Sequence, residues 1–430
     1  MAQPLKVLIS GSGIAGSVFA TNLLRAYPTA AITIVERSPA LRLTGAAVDI
    51  RGSAVDIIKW MGVESEVRAH TTRESGMQLL HANGKPIATF GATGRSDVQA
   101  LTSEYEIFRG ALAKIFIERV RGRVKLVFDE TVSSFEPSAD GVAVTFTRSK
   151  QAETYDLLVA ADGYNSHIRG LMLGTPPSAQ VHEENAYVAY FTTKDDLLGG
   201  SDVATGISTT LGRAMYLRPT AASTSGTSVL LMKVNAKSDT AARDKLSTAV
   251  REGNESYKQL MEEMFADIGW RAPEVLREMR QSDDFYCSVF AQVRSPSIQS
   301  GRVVLLGDAG YLALGYGTSL AIIGGYVLAG ELAKQALSST AGEASSTQKE
   351  KISAALKAYE DLVLPFAKTQ QGTSGLMQLV TPQTRLGVGV RNALFGLVST
   401  LKLDRMGMAI SAKLGFTEKK LAMPEYPWVE

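Results

Sequence analysis

The chain opens on a nearly unbroken apolar run. Leu5 to Ile9 has the length and hydrophobicity of a strand buried on both faces. A glycine-rich turn follows, then a helix from about Ala15 to Ala26, then a second buried strand from Ala31 to Val35. Together these make the start of a βαβ unit. His81 to Phe90 holds Asn83-Gly84 between apolar runs and predicts a hairpin, and Asp140-Gly141 predicts a second. Beyond it, Val142, Val144 and Phe146 alternate with smaller or polar residues, as on a half-buried strand. Leu157 to Ala161 is another apolar strand, ending at Asp162-Gly163, and Val303 to Leu306 is another, ending at Gly307-Asp308.

Between these, residues 180–235 read as short strands with irregular loops, one of them the Ser/Thr-rich Thr220 to Ser228, and residues 240–282 read as helical. A long helix is expected from near Ser319 to Leu337, a polar linker over 338–347, and helix again to about Lys420. Strands at both ends of an α/β pattern mean that the chain leaves its first domain and returns to it. The expected architecture is α/β. A Rossmann-like nucleotide-binding domain takes residues 1–75, 100–175 and 283–337. An inserted, mostly antiparallel β substrate domain takes 76–99 and 176–282, and a C-terminal helical segment takes 338–430.

Composition narrows the function classes. With 45% hydrophobic and 20% charged residues, the chain is ordinary globular material with ample apolar mass for a core. A net charge of +2 gives no basis for nucleic-acid binding, which needs clustered Lys and Arg. The single cysteine, Cys287, excludes an intrachain disulfide framework, fits a reducing compartment and reads as a small buried side chain. The first apolar run is too short for a signal peptide and leads into a glycine loop instead of a cleavage site. The best candidate for a membrane span, Leu386 to Leu401, is interrupted by Arg391, so no transmembrane segment and a cytoplasmic location are expected. Residues 383–420 carry Arg385, Arg391, Lys402, Arg405, Lys413, Lys419 and Lys420 among apolar positions. Packing against the first domain or a dimer contact is the expected role, with peripheral membrane contact the alternative.

The chemistry begins at Gly11-Ser-Gly13-Ile-Ala15-Gly16, which fits G-x-G-x-x-G. The first glycine permits a tight turn and the second lets backbone approach a pyrophosphate. The third lets helix and strand pack closely, and the helix N-terminus offers N–H groups and a positive dipole to the phosphate. The motif alone is weak. Here it follows a strand, opens a helix and precedes Glu36 at the end of the next strand, where a carboxylate accepts hydrogen bonds from a ribose. Arg37 is either a surface charge or a contact of the adenosine half. At this point NAD and FAD are equally possible.

Two later segments separate them. Asp156-Leu-Leu-Val-Ala-Ala-Asp162-Gly163-Tyr-Asn-Ser166-His-Ile-Arg169 resembles the "DG" motif of flavin-dependent aromatic hydroxylases, and Gly307-Asp308-Ala309 resembles their second FAD motif. Glu104 to Phe116 resembles the family segment whose arginine, here Arg109, contacts FAD. Gly45 to Gly52 resembles the loop beside the isoalloxazine ring, with Asp49 and Arg51 its polar candidates. The chain thus resembles the para-hydroxybenzoate hydroxylase-like FAD monooxygenases over residues 5 to about 335.

The resemblance implies an FAD-binding Rossmann-like domain with Gly11, Gly13, Ala15, Gly16, Glu36, Arg37, Arg109, Asp162, Gly163, Gly307, Asp308 and Gly317 around the cofactor. It implies NAD(P)H as co-substrate and O2 as oxidant, with oxygen delivered to an electron-rich carbon of a hydrophobic small molecule. It further implies that Asp162, Ser166 and Arg169 serve both FAD and NADPH handling. The cofactor carries the hard step, so no metal cluster is expected, and His70, His81, His167 and His182 lack metal-like spacing.

One departure matters. Family members carry a longer, proline-bearing loop between Gly-Asp-Ala and the next Gly-x-Gly. Here five residues, 310–314, separate Ala309 from Gly315-Tyr-Gly317, and none is proline. Either the loop is reshaped for a different substrate and oxygenation persists, or FAD serves a cyclase or dehydrogenase without oxygen insertion. A flavin-binding interaction protein without turnover is the reading from another class. On the substrate side, Tyr187, Tyr190, Phe191, Met215, Tyr216, Leu217 and Pro219 are the candidate apolar lining, with core packing as the competing role. Arg213 reads as a surface charge, with attraction of a substrate carboxylate or enolate as the alternative.

Overall fold

A computed structural model describes residues 4–41, 45–72, 74–91, 104–138, 141–220, 226–236, 238–337, 347–372, 380–401 and 420–428. The apolar runs become a six-stranded sheet. Its order is Gln299–Ser300, Val303–Leu305, Leu157–Ala160, Lys6–Ser10, Ala31–Glu36, Lys125–Phe128, parallel except at the short first strand. Lys6–Ser10 lies in the middle, and the chain leaves it on one side to Ala31 and later returns on the other at Leu157. That reversal is a topological switch point, and the crevice beyond the strands' C-terminal ends is where open α/β sheets bind ligands. The helices Ile14–Ala26 and Gly317–Leu337 pack on one another beside this sheet. The long helix is buried along most of its length, with Leu320, Ile322, Ile323, Val327, Leu328 and Leu332 in the main core.

Val132–Pro137, Val142–Phe146 and Ala152–Tyr155 form a small antiparallel sheet. Residue 140 of the expected Asp140-Gly141 turn lies outside the described residues, but the two strands that the turn joins do pair. The Asn83-Gly84 hairpin joins Gly76–Leu80 to Pro86–Gly91. These strands edge a seven-stranded sheet with Val203–Thr209, Arg213–Pro219, Thr227–Val234, Val181–Thr192 and Tyr286–Val293.

Two expectations change here. The strands of residues 180–235 run to 12, 7, 7 and 8 residues, so they are not short. The strand Tyr286–Val293, expected in the nucleotide-binding part, pairs with Val181–Thr192 instead. Both faces of this sheet are covered, so its strands lack the polar alternation that would reveal them. One face carries Tyr187, Phe191, Met215 and Leu217 against the helices Thr240–Glu252, Asn254–Phe265 and Ala272–Gln281. The other carries Val188, Tyr190, Tyr216, Leu230, Met232 and Phe290.

Beyond the core helices, Thr347 caps Gln348–Gln370 with a capping box through Glu350. Residues 338–346 of the expected linker and 402–419 of the expected terminal helix lie outside the described residues. Lys420–Trp428 has no regular structure, yet it is anchored. Tyr426 is buried over the long helix at Gly330, and its hydroxyl donates to Glu331 at 2.9 Å. The Trp428 indole donates to Tyr326 at 3.2 Å beneath the Arg25 guanidinium. Tyr426→Phe removes only the hydroxyl and leaves the buried Glu331 carboxylate short of a donor. It is expected to cost about 1–2 kcal/mol in urea unfolding; an unchanged midpoint would mean that the tail contributes packing alone.

Candidate active site

Gly11 turns the chain out of the first strand at φ +111, a conformation that L side chains rarely adopt. A Cβ there would stand 2.3 Å from the Ala161 carbonyl oxygen, and one on Gly16 would stand 2.2 Å from the Gly11 carbonyl oxygen. Both positions therefore require glycine. A Cβ on Gly13 would meet nothing within 4 Å, so this backbone stands open beside the helix N-terminus, as a phosphate cradle must. Glu36 reaches back to the same loop. It accepts from the Ser12 N–H at 3.1 Å, the Ser12 hydroxyl at 2.8 Å and the Ser38 N–H at 2.9 Å. Burial opposes its charge, but these donors prevail and hold its carboxyl below the usual range.

A cleft of about 820 Å³ runs along this edge, at the upper end for ligand sites. Gly11, Gly13, Glu36, Arg37, Arg109, Asp162, Gly163 and Asp308 all line it. Arg109 starts the helix Arg109–Val120, and its N–H donates to the Ala46 carbonyl at 3.0 Å. Gly45, Ala46 and Val48 complete that wall. Asp162 is pushed above the usual carboxylate range by burial, and its Oδ1 is buried without a partner. Asp308 is raised for the same reason, and the Arg109 guanidinium offsets this only in part.

The other expected residues stand behind the wall. A Cβ on Gly307 would lie 3.0 Å from the Ala15 Cβ, and one on Gly317 would lie 3.2 Å from Asp308 Oδ1. Ala15, Gly16, Gly307 and Gly317 thus let the two motifs pack together. Asp49 and Arg51 form an ion pair at 2.6 Å, and the Arg51 N–H donates to the Ser319 hydroxyl at 2.9 Å, so their geometry ties the loop to the long helix.

Arg169 is not among the residues that line the cleft. It is 0% exposed, donating to the carbonyls of Ala309 and Tyr164 at 2.8 Å each and to that of Pro177. Its position is that of a clamp on the segment after Asp308. That segment, residues 310–314, is not a free loop. Tyr311 is buried and meets the Tyr359 hydroxyl at 2.7 Å, while the Leu312 carbonyl accepts from the Val293 N–H at 3.1 Å. Side-chain anchors fix here what proline would stiffen.

Sequence reasoning missed Ser12, Lys114, Ser133, His167, Tyr286 and Ser288, all of which line the cleft. Cys287 lines it as well and is half-buried, with its thiol pushed up by burial. Ser12 was visible as the polar position inside G-x-G; the strand residues had no motif to mark them. Of the candidate substrate lining, Tyr190 and Tyr216 share a sheet face with Phe290, whereas Tyr187, Phe191, Met215 and Leu217 pack in the helix-covered core. Arg213 is buried and paired with Asp267, which corrects its reading as a surface charge.

The profile of the family described as FAD binding domain matches residues 4–347. The chain belongs to this family. An FAD-dependent monooxygenase of Sarocladium schorii, asL4, is 32% identical over 98% of each chain. The tetracycline destructase Tet(55) superposes with a TM-score of 0.72 at 25% identity, covering 99% of this chain and 100% of its own. Klebsiella pneumoniae HpxO, solved with FAD and uric acid, shares the fold with a TM-score of 0.67 at 19% identity, over 94% and 95% of the two chains. The protein is an FAD-dependent oxidoreductase with the fold of the FAD-binding hydroxylases. The glycine turn, the open Gly13 backbone and the unpartnered Asp162 Oδ1 suit that cofactor. Among the described residues, no helix is long and apolar enough to cross a membrane.

Proposed function

We propose that the protein is a monooxygenase that uses NAD(P)H and O2 to hydroxylate or epoxidise a hydrophobic small molecule, such as a natural-product intermediate. The observation that carries this reading is the convergence of four separate motifs on one cleft. When bound, FAD supplies the two-electron chemistry and the activation of oxygen. The chain's own residues position and shield. Glu36 presents a charged acceptor to a ribose, and the N-terminus of Ile14–Ala26 receives the pyrophosphate. Arg109, Asp162, Gly163 and Asp308 hold the remainder, while Ala15, Gly16, Gly307 and Gly317 keep the two motifs in register and Arg37 borders the adenosine end. Tyr286 and Ser288 bring the seven-stranded sheet to the cleft, and Tyr190 stacks on Tyr286 with centroids 6.4 Å apart. That aromatic wall suits a flat apolar substrate and excludes water.

A cyclase or dehydrogenase without oxygen insertion is the second reading, favoured by the short 310–314 segment. Its anchoring through Tyr311 and Arg169 supports an ordered wall there, which oxygenation needs. Holoprotein supplied with NADPH or NADH and candidate substrates decides. The expected result is flavin reduction, O2 uptake and a product one oxygen atom heavier. Turnover with no oxygen in the product would establish the second reading, and a flavin that neither nucleotide reduces would remove both.

A further inference from the structure

Eight large apolar side chains stand exposed among the described residues, and six of them gather at one place. Leu386, Val390, Leu394, Leu397 and Leu401 succeed one another at steps of four, four, three and four along Arg385–Thr400, each 51–78% exposed. This spacing draws one stripe along a single helix face. The helix cannot roll to hide it, because its inner side is fastened. Phe395 meets Phe90 edge-on at 6.0 Å, and Val398 packs into the same cluster. Arg391 is buried and donates to the carbonyls of Val380 at 2.8 Å and Ser208 at 2.9 Å. The Ser399 hydroxyl bonds both backbone groups of Thr89.

Leu211 is the sixth. It sits beside the helix start, its N–H donating to the Gln383 carbonyl at 2.9 Å, and its φ of +62 is strained for a leucine. It is also 56% exposed, so no burial offsets that strain.

The charge pattern identifies the occupant. From Leu362 to Leu403 the chain has no Asp or Glu, although acidic residues number 43 in 430, and within that stretch Lys368 and Arg385 stand exposed while Arg391 is turned inward. The stripe exposes on the order of 500 Å² of apolar surface, the size at which a patch marks an interaction site. Two copies face to face would bury about 1,000 Å², less than the roughly 1,200–2,000 Å² of a stable interface. An anionic surface of unlimited extent meets both conditions. We propose that this face docks on an anionic lipid bilayer, with Arg385–Thr400 lying in the interface plane and its stripe turned to the acyl chains.

Flotation of the holoenzyme with phosphatidylcholine vesicles, with and without phosphatidylserine, tests this directly. Wild type is expected to float with the phosphatidylserine vesicles and to release as salt rises. A variant combining L386S, V390S, L394S and L397S is expected to bind at least about tenfold more weakly. The single Val390→Glu is expected to do the same, and retained flavin content certifies that both variants fold. Wild type that stays unbound at low salt, or variants that float as well as wild type, would overturn the proposal. So would light scattering that shows a wild-type dimer which Val390→Glu converts to monomer, since the occupant would then be a second copy.

Discussion

Replacing Asp308 with alanine is expected to strip the purified protein of its flavin while leaving the apoprotein at least as stable as before. The two effects pull apart for one physical reason. Asp308 borders the cleft at the end of a buried strand, and burial raises its carboxyl above the usual range, with Arg109 offsetting this only in part. Without a ligand, folding keeps a charge in a place that disfavours it. A bound hydroxyl or N–H donor removes that penalty and gains a charge-assisted hydrogen bond. Its loss is expected to weaken FAD binding about a hundredfold, from roughly 3 kcal/mol.

The sign of the pH effect follows from the raised value. For the folded apoprotein, Asp308's contribution is most favourable below its ordinary 3.8 and is lost as pH rises through the elevated folded value. The D308A apoprotein lacks that loss, so its advantage should appear toward neutral pH and vanish in acid. Absorbance of the purified variant and urea unfolding of the flavin-free forms measure both halves. A yellow D308A, or one that unfolds far more easily than wild type when both are stripped, would show that the carboxylate works for the fold and not for the cofactor.

What the sequence made legible was local. The turn at Gly11, the strand ends at Asp162 and Asp308 and the cleft-lining carboxylate at Glu36 each follow an apolar run, and a run ended by a glycine or an acidic residue is readable without tertiary knowledge. Contacts across long chain separations were not. Nothing near Tyr311 announces Tyr359 as the partner that fixes residues 310–314, and nothing near Arg169 shows that its guanidinium closes on Ala309 and Pro177 instead of facing a ligand. The ion pair between Asp49 and Arg51, two residues apart, is likewise not announced by their loop. The antiparallel sheet of residues 181–293 was legible as such, but the lengths of its strands were not, for a related reason. Its two covered faces erase the alternation that marks a half-buried strand, so Tyr187 and Tyr190 look alike in sequence while pointing to different layers.

Arg218→Met is expected to be the most damaging single change away from the cofactor cleft, at about 3–5 kcal/mol of unfolding free energy. Arg218 lies on the sheet face that carries Tyr216. Its guanidinium meets Glu74 at 2.8 Å and Glu106 at 2.6 Å, and the side chains of both acids are less than 10% exposed. Glu106 comes from the strand beside Arg109 and pairs in register with Asp49, placing like charges opposite one another across a two-stranded sheet. Removing the arginine leaves buried carboxylates facing each other without a cation between them. Glu74 already shows the tension. Burial pushes its carboxyl up, Arg218 pulls it down, Glu106 and Asp49 push it up again, and the balance stands at about 7.

Because that value exceeds the ordinary 4.5, Glu74's contribution to stability is fully present below 4.5 and is lost as pH rises to about 7. In R218M the downward pull is gone. The folded value climbs further, and the deficit deepens on the alkaline side. Acidification from about pH 8 to about pH 5 should therefore return part of the lost stability to the variant, and adding Glu74→Gln should return it without acid. The double-mutant cycle separates the pair from its surroundings. An R218M protein whose deficit is the same at both pH values, and which E74Q fails to rescue, would mean that water reaches these carboxylates and that the arginine is held there by packing.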